Sequence, residues 1–202
     1  MKTTLYSSDQ LNDIAQVIKQ GKMIAIATDT VYGLAIDSTN FSAIENMKIA
    51  KGRPEEKPFP MMICSIEQLE SVAVVSDDHR KVVASFMPGA LTIVFKKQDS
   101  LSDVVTNGFS TVGIRMPDDD WVLDLITLVG NPLLVPSANI SGAPSCTTSA
   151  EVLEQLDGLI DGVVVGQSGA KQSSTVVDMS ESTIKILREG IIKLEDILEV
   201  LK

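Results

Sequence analysis

The strongest constraint on this chain is the way its apolar residues change period. Short apolar runs at 23–27, 61–64, 91–96, 111–116, 132–135, 162–165, 175–178 and 184–187 read as strands. Between some of them, apolar residues recur at the three- and four-residue spacing of one helical face. Leu11, Ile14, Ala15 and Ile18 form one such face, which Gly21 closes. Residues 42–50 form another, with Ile44, Met47 and Ile49 directed inward and Lys51 and Arg53 delivered at its end. Ser76-Asp77-Asp78 caps a third that runs to Phe86, with acids favourably placed in its first turn. Asp118-Asp119-Asp120 opens a fourth, expected to bury Trp121, Leu125 and Leu128, and 148–156 and 193–201 complete the set. Several neighbouring runs have no helix between them. The expected fold is therefore α/β, a twisted mixed sheet with flanking helices rather than a purely parallel one. No repeat, biased tract or Pro/Gly-rich linker interrupts residues 1–202, so a single domain is expected.

Charge narrows the partners. The formal net charge is -10, so an RNA polymer or an anionic membrane is repelled at long range. Cys64 and Cys146 have neither the spacing of a zinc site nor the density of a disulfide framework. Cys64, inside the run Pro60-Met61-Met62-Ile63-Cys64, reads as a buried thiol, and Cys146 as a loop thiol. The first residues lack a signal-peptide core and no apolar run is long enough to cross a bilayer, so a cytoplasmic setting is expected.

Several familiar chemistries are absent. There is no phosphate-loop motif, because the spacing in Gly166-Gln167-Ser168-Gly169-Ala170-Lys171 is wrong for one. The sole histidine, His79, sits among charged neighbours and reads as a surface residue, which leaves no Ser-His-Asp site and no multi-histidine metal site. What remains is a set of hydroxyls, cations and turns at element ends. Thr28 and Thr30 follow the first strong strand, and Gly33 is expected to permit a turn that a side chain would obstruct. Lys51 and Arg53 suit phosphate in complementary ways, a point charge and a planar fork, although a Lys/Arg pair there equally complements a helix dipole. Ser137, Asn139, Ser141 and Ser145 form a polar loop after an apolar strand, read either as a ligand loop or as an ordinary turn. Arg115 and Arg188 each end a strand.

Seven segments in one order resemble the YrdC/TsaC family of threonylcarbamoyl-AMP synthases. They are Thr28-Asp29-Thr30-Val31-Tyr32-Gly33-Leu34, Lys51-Gly52-Arg53-Pro54 with Lys57-Pro58, Pro88-Gly89-Ala90-Leu91-Thr92, Val112-Gly113-Ile114-Arg115-Met116-Pro117, Pro136-Ser137-Ala138-Asn139-Ile140-Ser141-Gly142, Ser174-Thr175-Val176-Val177-Asp178 and Leu187-Arg188-Glu189-Gly190. The resemblance implies a concave, positively lined cavity and a nucleotidyltransferase. L-threonine, bicarbonate and ATP would become threonylcarbamoyl-AMP and pyrophosphate. That product would be handed to a tRNA threonylcarbamoyl transferase complex for threonylcarbamoyladenosine modification of tRNA, with any tRNA binding by this chain weak or indirect.

Carried over by position, Thr30, Arg115 and Ser174 would bind threonine. Arg53, Lys57, Thr111, Ser137, Ser145 and Arg188 would face ATP, with Asn139 shaping the loop. Lys51 and Arg53, with Arg188, are the expected charge-neutralising residues, and Mg2+ would travel on the ATP phosphates rather than in a dedicated carboxylate cage. Met62 stands where some longer relatives place a threonine-binding histidine. Longer members carry a second domain, so the chain resembles the short, single-domain type. A double-stranded RNA-binding module is the rival on the same surface, disfavoured by the acidic charge. A carbamoyl-adenylate domain of the HypF kind is a second rival.

Overall fold

The computed structural model describes residues 2–52, 58–169 and 173–202. The chain runs β1 (Thr4–Tyr6), α1 (Leu11–Lys19), β2 (Ile24–Ile26), β3 (Gly33–Asp37), α2 (Phe41–Lys51), β4 (Met61–Met62), α3 (Ile66–Val72), α4 (Asp77–Phe86), β5 (Leu91–Lys96), α5 (Asp103–Thr106), β6 (Thr111–Arg115), α6 (Asp120–Val129), β7 (Leu133–Leu134), α7 (Ser149–Leu156), β8 (Gly162–Val164), β9 (Thr175–Asp178), β10 (Lys185–Arg188) and α8 (Leu194–Val200). Side-chain caps fix where helices begin. Asn40, Ser65, Ser76, Asp119 and Thr148 each accept a hydrogen bond from the backbone N–H three residues on, satisfying a donor the helix cannot. Gly52 and Gly130 end α2 and α6 in the left-handed conformation, which glycine adopts without Cβ strain.

The strands form one mixed sheet in the order β1-β8-β2-β3-β7-β4-β6-β5-β9-β10. β8 pairs in parallel with β1 and β2, as do β4 with β6 and β5 with β9, and the other ladders are antiparallel. Because side chains alternate along a strand, each central strand feeds two cores. Ala25, Leu34, Ile36, Met61, Leu134 and Val163 join a large cluster on one face. Ile24, Ile26, Ala35, Met62, Leu133 and Val164 join a second cluster on the other, where α1 supplies Ile14, Ala15 and Ile18 and α6 supplies Val122, Leu125, Ile126 and Val129. Burial on both faces explains why these strands read as unbroken apolar runs. The α1–α6 layer covers β8, β2, β3 and β7. Among the described residues no helix covers the same face over β6, β5 and β9, and that geometry creates the site.

Some expectations about local packing need correction. Ile49 is 78% exposed, because it lies two residues, about 200° of helix, beyond Met47 on the inward face. α6 begins at Asp120 with Asp119 as its cap, so its buried stripe is Val122, Leu125, Ile126 and Val129, and Leu128 faces outward. Trp121 is half-buried, its indole N–H donating to the Ser8 carbonyl. The cysteines exchange roles. Cys146 is buried in the larger core, and Cys64, half-buried, lies beside Gln68. His79 is half-buried as well, edge-on to Phe95 with its Nε2 2.9 Å from the Met179 carbonyl oxygen. Among the described residues no helix is long and apolar enough to cross a membrane.

Candidate functional site

Strand alternation puts a row of side chains on this face of β6, β5 and β9. β6 contributes Thr111, Gly113 and Arg115; β5 contributes Thr92 and Val94; Ser174 with β9 contributes Val176 and Asp178. The ladder registers place Val94 opposite both Gly113 and Asp178, and Met62 opposite Arg115, so all share one face. With Thr28, Thr30, Tyr32 and Gly33 from the β2–β3 side, Phe59, Phe109, Ser137 and Arg188, they line a cavity of about 710 Å³. That is ample for a nucleotide-sized ligand. Gly33 contributes by close approach rather than by a turn. It lies in β3, and a Cβ there would stand 2.4 Å from Val135 Cγ1.

Arg115 is the hub of the polar end. It is 4% exposed, and its Nε donates to the Gly89 carbonyl at 2.8 Å, its Nη1 to Thr30 Oγ1 at 2.7 Å and its Nη2 to Asp29 Oδ2 at 2.5 Å. Thr30 Oγ1 lies 3.1 Å from Thr28 Oγ1, which donates to the Val31 carbonyl. Burial lowers the Arg115 pKa, and the Asp29 charge opposes that shift. The guanidinium remains charged, since even a lowered arginine pKa lies far above neutrality. Asp29 Oδ1 is buried and has no hydrogen-bond partner among the described residues. Arg188 comes from the other side, its Nε donating to the Ser174 carbonyl and its Nη2 to Ser174 Oγ, both at 3.0 Å. Desolvation lowers its pKa too, although much of the side chain is exposed. Ser174 Oγ also lies 2.9 Å from Thr92 Oγ1. One end of the cavity thus offers two guanidiniums and a connected set of hydroxyls, a donor array suited to carboxylate or phosphate oxygens.

The residues singled out in the sequence divide into three groups. Thr30, Thr111, Arg115, Ser137, Ser174 and Arg188 line the cavity together. Lys51, Asn139 and Ser145 do not. Lys51 is 1% exposed, and its ammonium donates to the Ser137 carbonyl at 2.5 Å and the Asn139 carbonyl at 2.6 Å. Its own carbonyl accepts from the Ser141 N–H at 2.8 Å, so Lys51 ties the polar loop to the end of α2. The Asn139 amide donates to the Ile140 and Ala143 carbonyls, which shapes that loop from within. Ser145 is exposed. Arg53 and Lys57 lie outside the described residues. The lining is less basic than expected: among the described residues its charges are Arg115, Arg188 and one carboxylate, Asp178, and much of the rest is apolar. Thr92, Gly113 and Asp178 stand in the quoted segments without an assigned role, and Phe109 stands in none of them. The signal for two of these residues was the two-residue period that links Gly113 to Arg115 and Asp178 to Ser174 through their strands.

A model of the Sua5/YciO/YrdC proteins, described as telomere recombination, matches residues 16–190. The chain belongs to that family. It is 39% identical over 189 residues to a Pyrococcus abyssi protein named threonylcarbamoyl-AMP synthase, covering 93% of this chain and 56% of that one. A Bacillus subtilis protein of the same name is 39% identical over 195 residues, covering 95% of this chain and 56% of its own length. The chain therefore spans just over half the length of these relatives. Among solved structures, P. abyssi Sua5 complexed with L-threonine superposes with a TM-score of 0.91 at 35% identity, covering 99% of this chain and 60% of that one. E. coli YciO shares the fold, with a TM-score of 0.86 at 19% identity over 97% of this chain and 98% of that one. The mixed α/β sheet is thus a Sua5/YciO-type sheet.

Proposed function

We propose that this chain is an L-threonylcarbamoyladenylate synthase. The observation that carries the reading is the paired-arginine end of the cavity, where Arg115 and Arg188 converge with Thr30, Thr92 and Ser174 on space for an extended nucleotide conjugate. The names of the P. abyssi and B. subtilis relatives and the threonine complex of P. abyssi Sua5 support it. Threonine's amine would take up bicarbonate-derived CO2 as a carbamate. A carbamate oxygen would attack the α-phosphorus of ATP, and pyrophosphate would leave with the electrons of the broken P–O bond. Arg115 would hold the threonine carboxylate through the N–H groups that its protein partners leave over. Arg188 would neutralise charge on the nucleotide, and Thr30 and Ser174 would orient threonine. No protein nucleophile is needed, so positioning and fixed positive charge carry the rate.

The lining donors are hydroxyls and guanidiniums, which suit phosphate oxygens. Mg2+ would accordingly arrive with ATP and supply charge neutralisation there. The product would pass to a tRNA threonylcarbamoyl transferase complex, and two free thiols suit a reducing cytoplasm. The test is pyrophosphate release by purified protein with ATP and Mg2+. Release should require both L-threonine and bicarbonate, and release that needs neither would refute the assignment. An RNA-binding role would instead show tight binding with a steep salt slope and no turnover.

A further inference from the structure

The cavity floor is polar at its arginine end and mixed beyond it. Arg115, Thr30, Thr92, Ser174 and Arg188 occupy one end. Asp178 lies four residues along the chain from Ser174, and Thr111 four residues from Arg115. By the ladder registers, Asp178 shares the row of Val94 and Gly113, two residues or roughly 7 Å along the strands from the row of Arg115, Thr92, Val176 and Arg188, and Thr111 lies two residues further. Val94 and Gly113 lie beside Asp178 in its row, and Val176 lies in the arginine row. Phe109, two residues before Thr111, also lines the cavity and is 43% exposed.

A carboxylate here is chemically conspicuous. Asp178 Oδ1 accepts from the Ser180 N–H at 2.9 Å and the Ser180 hydroxyl at 2.7 Å, which fixes the carboxyl group in place. Among the described residues no cation is within ion-pair distance of it, although Lys185 is its ladder partner on β10. An ionised carboxylate accepts hydrogen bonds and repels phosphate. Asp178 lies two strands across and two residues along from Arg115, roughly 12 Å, and one amino acid spans roughly 4 Å, so threonine held at Arg115 does not reach it. The group that meets Asp178 is therefore a neutral hydrogen-bond donor on the distal part of the ligand.

We propose that Asp178 recognises the ribose of the nucleotide, its carboxylate accepting from the 2′-hydroxyl, with the base directed toward Phe109. This rests on the reading that the cavity holds ATP. A carboxylate on a ribose hydroxyl is the same solution that dinucleotide-binding sheets use. Asp178 then sets specificity for ribonucleotides, while the arginine end takes the charged groups.

The test is calorimetric binding of ATP, 2′-deoxy-ATP and inosine 5′-triphosphate to the full chain, without threonine or bicarbonate. Wild type should bind 2′-deoxy-ATP about tenfold more weakly than ATP, and Asp178→Ala should bring that ratio close to one. The ratio compares two ligands on one sample, so partial loss of folded protein does not move it. Asp178→Asn keeps an oxygen acceptor for Ser180, and it carries the test if the alanine variant does not fold; its ratio should fall as well. An unchanged ratio in the variants overturns the proposal. So does a preference for ATP over inosine triphosphate that disappears in Asp178→Ala while ribose discrimination persists, because the partner would then be the base amine. Wild type that shows ribose discrimination lost in the variants, yet releases no pyrophosphate with threonine and bicarbonate, would sink the synthase reading and leave Asp178 standing. Wild type that binds no nucleotide overturns both.

Discussion

Arg115 and Lys51 are both buried cations in motif-like segments, 4% and 1% exposed, yet they face different tasks. Arg115 sits on the cavity floor, and three of its N–H groups bind Asp29, Thr30 and Gly89. Lys51 sits behind the wall, its ammonium on the backbone carbonyls of Ser137 and Asn139. A planar fork has donors to spare after it has been anchored, so it can be both structural and ligand-facing. A point charge held by two carbonyls fixes a loop. The pair shows that buried cations in two conspicuous motifs can take different roles among the described residues, one on the cavity floor and one on a loop backbone.

The largest effects should come from breaking these two anchors. Arg115→Ala strands Asp29 in a nearly closed site and should lower unfolding free energy by about 3–5 kcal/mol, with turnover lost. Combining Asp29→Asn with Arg115→Met should recover much of the stability and none of the turnover. Lys51→Met removes two charge-assisted hydrogen bonds and should cost about 2–3 kcal/mol, lowering turnover only as far as the Ser137 loop shifts. Denaturant unfolding and pyrophosphate release measure both quantities. If Lys51→Met melts like wild type while turnover vanishes, Lys51 touches substrate and the contrast fails.

The comparison also marks what sequence reading can reach. Strands β5 and β9 were legible to the residue, because their apolar runs are bounded by breakers and their composition favours strands. The β6 run and the α4 and α7 starts were legible for the same reason and from their capping residues. Short elements were not: β1 and α3 carry too few residues for a period to show. Of the candidate site, the hydroxyls and arginines on strands could be named, since alternation ties Arg115 to Thr111 and Ser174 to its strand. Lys51's true orientation depends on a loop 86 residues away, and no local pattern encodes that contact. Cys146 was read as a loop thiol for the same reason: a loop drawn into the core looks local until its long-range partners are known.

A subtler test acts on the floor beside Arg115. A Cβ on Gly113 would meet only Thr92 Cγ2 at 3.6 Å and Val94 Cγ2 at 3.8 Å, ordinary contacts, and its backbone is not in the left-handed region. Gly113→Val should therefore fold with stability within about 0.5 kcal/mol of wild type, because valine suits a strand. Its side chain would occupy cavity space, and KM for ATP should rise about tenfold, roughly 1.4 kcal/mol. Thermal melting together with KM separates the two effects. A Gly113→Val protein with wild-type KM would mean that the ligand does not lie along this floor, and Arg115 would lose its claim to the ligand with it.

The smallest effect reports on the Lys51 side. Burial in the core pushes the Cys146 thiol from 9.0 up to about 11, and the Lys51 charge only partly opposes this. A raised thiol pKa means that the folded protein holds its proton longer than the unfolded chain does. Below pH 9 both states are protonated and nothing changes. Between about pH 9 and 11 the unfolded chain gains by ionising, so folding should weaken, by at most about 1.4 kcal/mol per pH unit. Cys146→Ala removes the titrating group, so its melting temperature should fall less steeply than that of wild type over this window. Equal slopes would place Cys146 in a wetter loop. The Lys51 anchor would then be looser than its carbonyl contacts imply, and the contrast with Arg115 would narrow.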